Sequence, residues 1–186
     1  MSKFKFIKTG IEDLYIIEPT IFLDNRGFFM ETYNYSEFEK VGMNMNFVQD
    51  NHSLSKKGVL RGLHFQTNNS QGKLVRVIKG EVFDVAVDLR KDSSTFGKWK
   101  GIILSEENKR EFYIPEGFAH GFLVISDEAE FVYKCTDFYY PEYEGGILWN
   151  DKDLAIDWPI SENINLTLSD KDKKLLTFKE FCKIHN

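Results

Sequence analysis

A two-residue rhythm of apolar side chains is the feature that most limits what this chain can become. Between 81 and 90, Phe83, Val85, Val87 and Leu89 alternate with Asp84, Asp88 and Arg90. That period predicts a strand with one packed face and one polar face. Runs of the same kind occupy 28–33, 46–52, 59–66, 73–79, 112–114, 119–126 and 130–136, with Gly80, Gly101, Asn108 and Gly117 as turn residues between them. Many short strands at close spacing predict a sandwich or barrel, not strands alternating with helices. Helix signals are few. Ser36 with Glu39 forms a capping-box pattern that Gly42 stops, Thr177 with Glu180 forms another, and Ser169-Asp170 opens a helical turn. The chain's 186 residues suffice for a core without disulfides or metal. The reading is a single all-β domain over residues 1–186 with a short C-terminal helix.

Charge narrows the function. The net charge is −5, which disfavours nucleic-acid binding driven by phosphate neutralisation. Yet Lys56, Lys57, Arg61, Lys73, Arg76 and Lys79 fall within 51–80, a stretch with no Asp or Glu. A cationic segment in an anionic protein fits a small anionic ligand, or a solvated face. No stretch approaches the roughly 18 apolar residues of a membrane span, and the N-terminus lacks a signal-peptide core. Cys135 and Cys182 have no metal or redox spacing. The expectation is two reduced thiols in a cytoplasmic protein.

Four histidines occur. His185 sits beside the C-terminus and His52 in a polar cluster. His64 and His120 are embedded in strand-like segments, and histidine is the side chain best suited to accept a proton near neutral pH. Small β-barrels often hold a metal through a His-x-His pair, a nearby Glu and a later His. Here Gln66 takes the second position, and no acid follows before Glu81. The segment 115–120 resembles only the second half of such a site, so no metal site is predicted. Phosphate loops, dinucleotide fingerprints and nucleophile elbows are missing from the sequence.

A family resemblance spans most of the chain. Its blocks include Asp24-Asn25-Arg26-Gly27-Phe28-Phe29-Met30-Glu31, Gln49-Asp50-Asn51-His52-Ser53, Gly58-Val59-Leu60-Arg61-Gly62-Leu63-His64-Phe65-Gln66 and Gln71-Gly72-Lys73-Leu74-Val75-Arg76-Val77. Segments 80–90 and 114–122, Tyr133-Lys134-Cys135-Thr136 and Gly146-Ile147-Leu148-Trp149-Asn150-Asp151 continue in the same order. In these blocks, from about 24 to 159, the chain resembles the dTDP-4-dehydrorhamnose 3,5-epimerases. The resemblance implies a cupin-like jelly roll, a homodimer, no metal or organic cofactor, and a dTDP-4-keto-6-deoxyhexose substrate inverted at C3 and C5.

It also implies roles for individual residues. His64 would be the proton acceptor and Tyr133 the proton donor. Asp172 would orient His64, with Asp170 as the alternative partner, and Lys73 would stabilise the enolate. Arg26, Glu31, Gln49, Asp50, Asn51, Arg61, Lys73, His120, Glu144 and Lys171 would form the nucleotide-sugar site, with Phe28 or Phe29 stacked on the thymine. Three competing readings are an epimerase acting at C3 or C5 alone, a metal-dependent enzyme on the same scaffold, and a non-catalytic sugar-nucleotide module.

Overall fold

Alternating apolar residues along the chain build thirteen strands, and two α-helices complete the main elements of the described residues. The structure is a computed structural model and describes residues 2–162 and 164–185. The strands are β1 (Phe4–Lys8), β2 (Tyr15–Pro19), β3 (Phe22–Asp24), β4 (Gly27–Phe29), β5 (Gln49–Lys56), β6 (Leu60–Gln66) and β7 (Lys73–Lys79). They continue with β8 (Glu81–Asp88), β9 (Trp99–Ser105), β10 (Glu111–Ile114), β11 (Phe118–Val124), β12 (Glu128–Cys135) and β13 (Glu144–Gly146). The helices are α1 (Tyr35–Glu39) and α2 (Phe178–Ile184).

Two antiparallel sheets form a sandwich, in the orders β1-β2-β10-β7-β12-β5 and β13-β6-β11-β8-β9, while β3 and β4 make a separate hairpin. The sheets do not close on each other, so the predicted jelly roll takes its sandwich form. Among the described residues no helix is long and apolar enough to cross a membrane.

Apolar clusters lie on three levels. Between the sheets, Val75, Val77, Phe112 and Phe131 meet Val82, Ala86, Leu104 and Phe122. Outside the five-stranded sheet, Leu63, Val85 and Leu123 pack under Ile147, Trp158 and Phe181 of the C-terminal segment. Outside the six-stranded sheet, Ile17 and Leu74 pack under Phe38, Met43 and Met45.

The expected polar face of β8 is therefore not solvated. Its apolar row faces the C-terminal segment, and its other face looks into the sandwich. Asp84 and Asp88 are both fully buried. Each is satisfied there: Asp84 by His120, and Asp88 by Arg90, Ser93 and Thr95. Paired and hydrogen-bonded carboxylates tolerate burial.

Other expectations shift as well. Gly101 lies inside β9 rather than at a turn, and a Cβ there would fall 2.1 Å from the Phe83 ring. The residue is small because the ring needs that space. The N-cap of α1 is Asn34, not Ser36, and its side chain makes no capping bond. The box at Thr177 and Glu180 does form at the head of α2. Strands β1, β2, β3, β9 and β13 lie outside the runs that the alternation marks.

Glu111 breaks the satisfaction rule. It is fully buried on β10, and neither carboxylate oxygen has a hydrogen-bond partner among the described residues. Burial raises its pKa to about 8, against a weaker opposing pull from Arg76 and Lys134. The native state thus keeps this proton where the unfolded chain has released it. Stability then falls as pH rises from about 4 to about 8. Glu111→Gln should match the parent at pH 4 and exceed it above pH 8, by several kcal/mol. Urea unfolding across that pH range would measure the difference, and a constant offset would contradict it.

Candidate active site

The two sheets part at one end of the sandwich, and a cleft of about 290 Å³ opens between them. Strand register decides which side chains meet there. In the six-stranded sheet, Tyr133 pairs with Asn51 on one side and Val75 on the other. Cys135 likewise pairs with Gln49 and Lys73. In the five-stranded sheet, His64 pairs with Gly146 and His120, and Gln66 pairs with Glu144. Gln49, Asn51, Lys73 and Tyr133 thus enter the cleft from one sheet, and His64 and Glu144 from the other. Close approach of β6 to β11 sets this placement. Gly62 has φ +117°, and a Cβ on it would lie 2.5 Å from the Gly121 Cα.

His64 is backed by a carboxylate. Its Nε2 lies 2.5 Å from Asp172 Oδ1, and Asp172 Oδ2 accepts from the Ser169 hydroxyl at 2.7 Å. Asp172 is buried. Burial pushes its carboxyl up, but the hydrogen bonds from His64 and Ser169 outweigh it and hold the group below the usual carboxylate range. Asp170 is exposed and pairs with Lys173 at 3.1 Å, so Asp172 is the partner of His64. A neutral His64 donating from Nε2 keeps Nδ1 as its proton acceptor.

Burial raises the Tyr133 pKa, with Cys135 and Glu144 adding to it and Arg61 opposing. The phenol therefore carries its proton at neutral pH. Burial lowers the Lys73 pKa, while Cys135, Asp84 and Glu144 pull it back up. For Glu144, burial raises the pKa, but hydrogen bonds from Lys171 and the Tyr139 hydroxyl, with the nearby His64, bring it below the ordinary value.

Other expected site residues lie elsewhere. Lys171 is exposed and reaches the site through its ion pair with Glu144. Arg61 is exposed and donates to the Ser55 hydroxyl. His120 is buried beside His64, with Nε2 3.0 Å from both Asp84 oxygens. Asp50 pairs with Lys134 and lines a second groove on the outer face of the six-stranded sheet. Glu31 bonds Lys3 and Asn34.

Arg26, Phe28 and Phe29 sit on the exposed β3–β4 hairpin, around a groove of their own. The Lys109 ammonium lies over the Phe28 ring. Lys109 precedes β10, whereas Lys73 pairs with Ile114, the last residue of β10. The strand alone carries the chain roughly 10 Å from Ile114 to Glu111, where β2 pairs at Ile17 before running on toward the hairpin. The hairpin thus lies at the far end of the sheet from the cleft.

Four residues of the cleft lie outside the expected site: Phe65, Gln66, Gln71 and Tyr139. Tyr139 and Gln71 lie in loops, where no periodicity marks them. The remaining signal was an aromatic pair, Tyr139-Tyr140, directly before Pro141.

A carboxylate-backed base, a protonated phenol and a lysine around one cleft are the equipment of a proton-transferring isomerase. Comparison with known proteins gives the same class. The family profile described as dTDP-4-dehydrorhamnose 3,5-epimerase matches residues 8–180. The dTDP-4-dehydrorhamnose 3,5-epimerase of Methanothermobacter thermautotrophicus is 57% identical over 180 residues, covering 97% of each chain. That of Salmonella typhimurium is 59% identical, covering 91% of this chain and 94% of its own. A crystal structure of the Legionella pneumophila dTDP-6-deoxy-D-glucose-3,5-epimerase in complex with dTDP-4-keto-L-rhamnose superposes with a TM-score of 0.91 at 55% identity, covering 95% of this chain and 93% of that one. The chain belongs to the dTDP-4-dehydrorhamnose 3,5-epimerase family.

Replacing Asp172 by Asn should leave a folded protein and lower kcat by about 100-fold, as the imidazole loses its fixed tautomer. The stabilising effect of Asp172 is present above the unfolded carboxyl pKa of about 3.9. It disappears as pH falls through the lowered native value. Steady-state kinetics with paired unfolding curves at pH 3 and pH 7 would test both statements. An unchanged kcat would remove Asp172 from the machinery.

Proposed function

We propose that this chain, acting as a single domain, inverts C3 and C5 of dTDP-4-keto-6-deoxy-D-glucose to give dTDP-4-keto-L-rhamnose. Both carbons flank the C4 carbonyl, so their protons are weakly acidic. His64 removes a proton, and the charge passes to the carbonyl oxygen as an enolate. Lys73 stabilises that charge, an interaction typically contributing a few kcal/mol in a dry site. Tyr133 returns a proton to the opposite face. One observation carries this reading: base and acid enter the same cleft from opposite sheets. Inversion needs that arrangement, because the proton must leave one face of the ring and arrive at the other. Gln49, Asn51, Glu144 and Lys171 surround the sugar nucleotide.

Acid, base and cation all come from side chains, so the reaction calls for no metal or organic cofactor. Gln66 in place of a second histidine supports this. The ligand is a nucleotide sugar rather than a nucleic acid, and the unpaired Cys135 and Cys182 fit a reducing cytoplasm.

We further infer a homodimer. Phe22, Leu23, Phe28 and Phe29 expose an apolar hairpin surface, a feature of interaction sites. Arg26, Phe28 and Phe29 lie too far along the sheet to meet a ligand in their own cleft. In a dimer they reach the partner's cleft instead.

Incubation of the substrate in D₂O, followed by NMR, should place deuterium at both C3 and C5 with inversion. Label at a single carbon would instead indicate a mono-epimerase. His64→Ala should abolish both exchanges. For the dimer, His64→Ala and Arg26→Ala subunits are each expected to be nearly inactive, and their mixture should recover up to about one quarter of the activity. That recovery arises because each mixed dimer carries one intact site. No recovery after subunit exchange would mean that Arg26 acts within its own chain.

A further inference from the structure

Gln66 occupies the position of a missing metal ligand, and the reaction proposed above gives it no task. It is the last residue of β6, on the same strand face as His64, and only 7% exposed. Its amide is fully engaged with main chain. Nε2 donates to the carbonyl oxygens of Asn69 at 2.6 Å and Phe138 at 3.2 Å, and Oε1 accepts from the Tyr140 N–H at 2.7 Å. The last two bonds bracket Tyr139.

Other cleft side chains converge on the same loop. Gln49 Oε1 accepts from the Tyr139 N–H at 3.0 Å, and Gln71 Nε2 donates to the Asp137 carbonyl at 2.8 Å. Residues 137–140 belong to no strand or helix. Without ladder bonds, such a segment is fixed by the side chains that satisfy its backbone. Tyr139 forms one wall of the cleft, and its hydroxyl donates to Glu144. Glu144 is in turn the cross-strand partner of Gln66. The residues close a ring around the cleft mouth, and Gln66 is its buried member.

We propose that Gln66 is a positioning residue: by bonding the main chain on both sides of Tyr139, it holds that ring as a wall of the substrate site. Chemistry explains the choice of residue. Only a carboxamide offers donors and an acceptor together on one short planar head. A leucine makes none of the three bonds. A glutamate keeps the acceptor but sets a carboxylate against two carbonyl oxygens.

This inference rests on the epimerase reading, and a double-mutant cycle tests it. Gln66→Leu should raise KM about tenfold while kcat stays within about threefold, because the loss falls on ligand binding and not on His64 or Tyr133. Tyr139→Ala should have an effect of similar size. Combined, the two should be no worse than Tyr139→Ala alone by more than about twofold, since Gln66 acts only through that ring. Multiplicative losses, or an unchanged KM in Gln66→Leu, overturn the proposal.

Gln66→Glu is expected to lose nearly as much as Gln66→Leu, and it replaces Leu in the cycle should the latter not fold. The two readings fail differently. Wild-type turnover with an additive cycle removes only the positioning role. A wild type that neither exchanges nor inverts C3 and C5 removes the epimerase reading. Calorimetric affinity for dTDP-4-keto-6-deoxyglucose, measured across the same cycle, then still decides Gln66.

Discussion

The contact between His64 and Asp172 joins residues 108 positions apart in the chain, and much of the architecture exists to make it. Asp172 arrives on a tail without long secondary structure. That tail is tied to the sandwich at two places: Val59 bridges Thr167, and Ile147 bridges Leu176. The Leu60 N–H donates to the Thr167 carbonyl, and the Leu148 N–H to the Leu176 carbonyl. The ties fall on either side of Asp172, so the carboxylate is held at both ends. The same tail buries Leu63, Val85 and Leu123 on the outside of the five-stranded sheet. Covering an apolar face and orienting a base are one event here. Disrupting the outer core would also loosen the tautomer control of His64.

The sandwich interior carries more charge than its strand pattern announces. Asp84 holds His120 directly beside His64, and its charge is also felt by Lys73. Lys73 is drawn in opposite senses by burial and by the anions Asp84 and Glu144. If charged there, Lys73 would interact strongly with a developing enolate, because little water screens it. His120 stacks on Phe131 at 6.1 Å, and Phe131 stacks on Phe122. The charged cluster is therefore continuous with the aromatic packing between the sheets. Glu111, on the outer face of the six-stranded sheet, has no such partner and is the exception that tests the rule.

The legible part of the sequence follows from the physics of strands. Period-2 alternation located β6, β7, β8, β10, β11 and β12 because each packs a row of side chains on a sheet face. It does not distinguish a solvated acid from a paired buried one, so it marks Asp84 and Asp88 only as a polar face. It also missed β9, since Gly101 looks like a turn until the Phe83 ring beside it is known. The capping pattern at Thr177 was legible, whereas the one at Ser36 was displaced because Asn34 takes the N-cap. Of the candidate site, His64, Tyr133, Lys73, Asp172, Gln49, Asn51 and Glu144 came through the resemblance and converge in space. Tyr139 and Gln71 did not, because loop positions have no periodicity. The distance of Arg26 from the cleft could not be seen in one dimension.

Stereochemistry explains why a sandwich suits this reaction. In the proposed mechanism, C3 and C5 are both bonded to C4, so both lie close to the carbonyl that Lys73 holds. One base and one acid can then serve both carbons if the ring sits between them and only its tilt changes. Opposed sheets supply that geometry without loop motion, since strand register fixes His64 on one wall and Tyr133 on the other. A base with no proton donor opposite it could only return its proton to the original face, which would give exchange without inversion. In that mechanism the substrate ring would be the part that tilts, beside the cleft wall that Tyr139 forms.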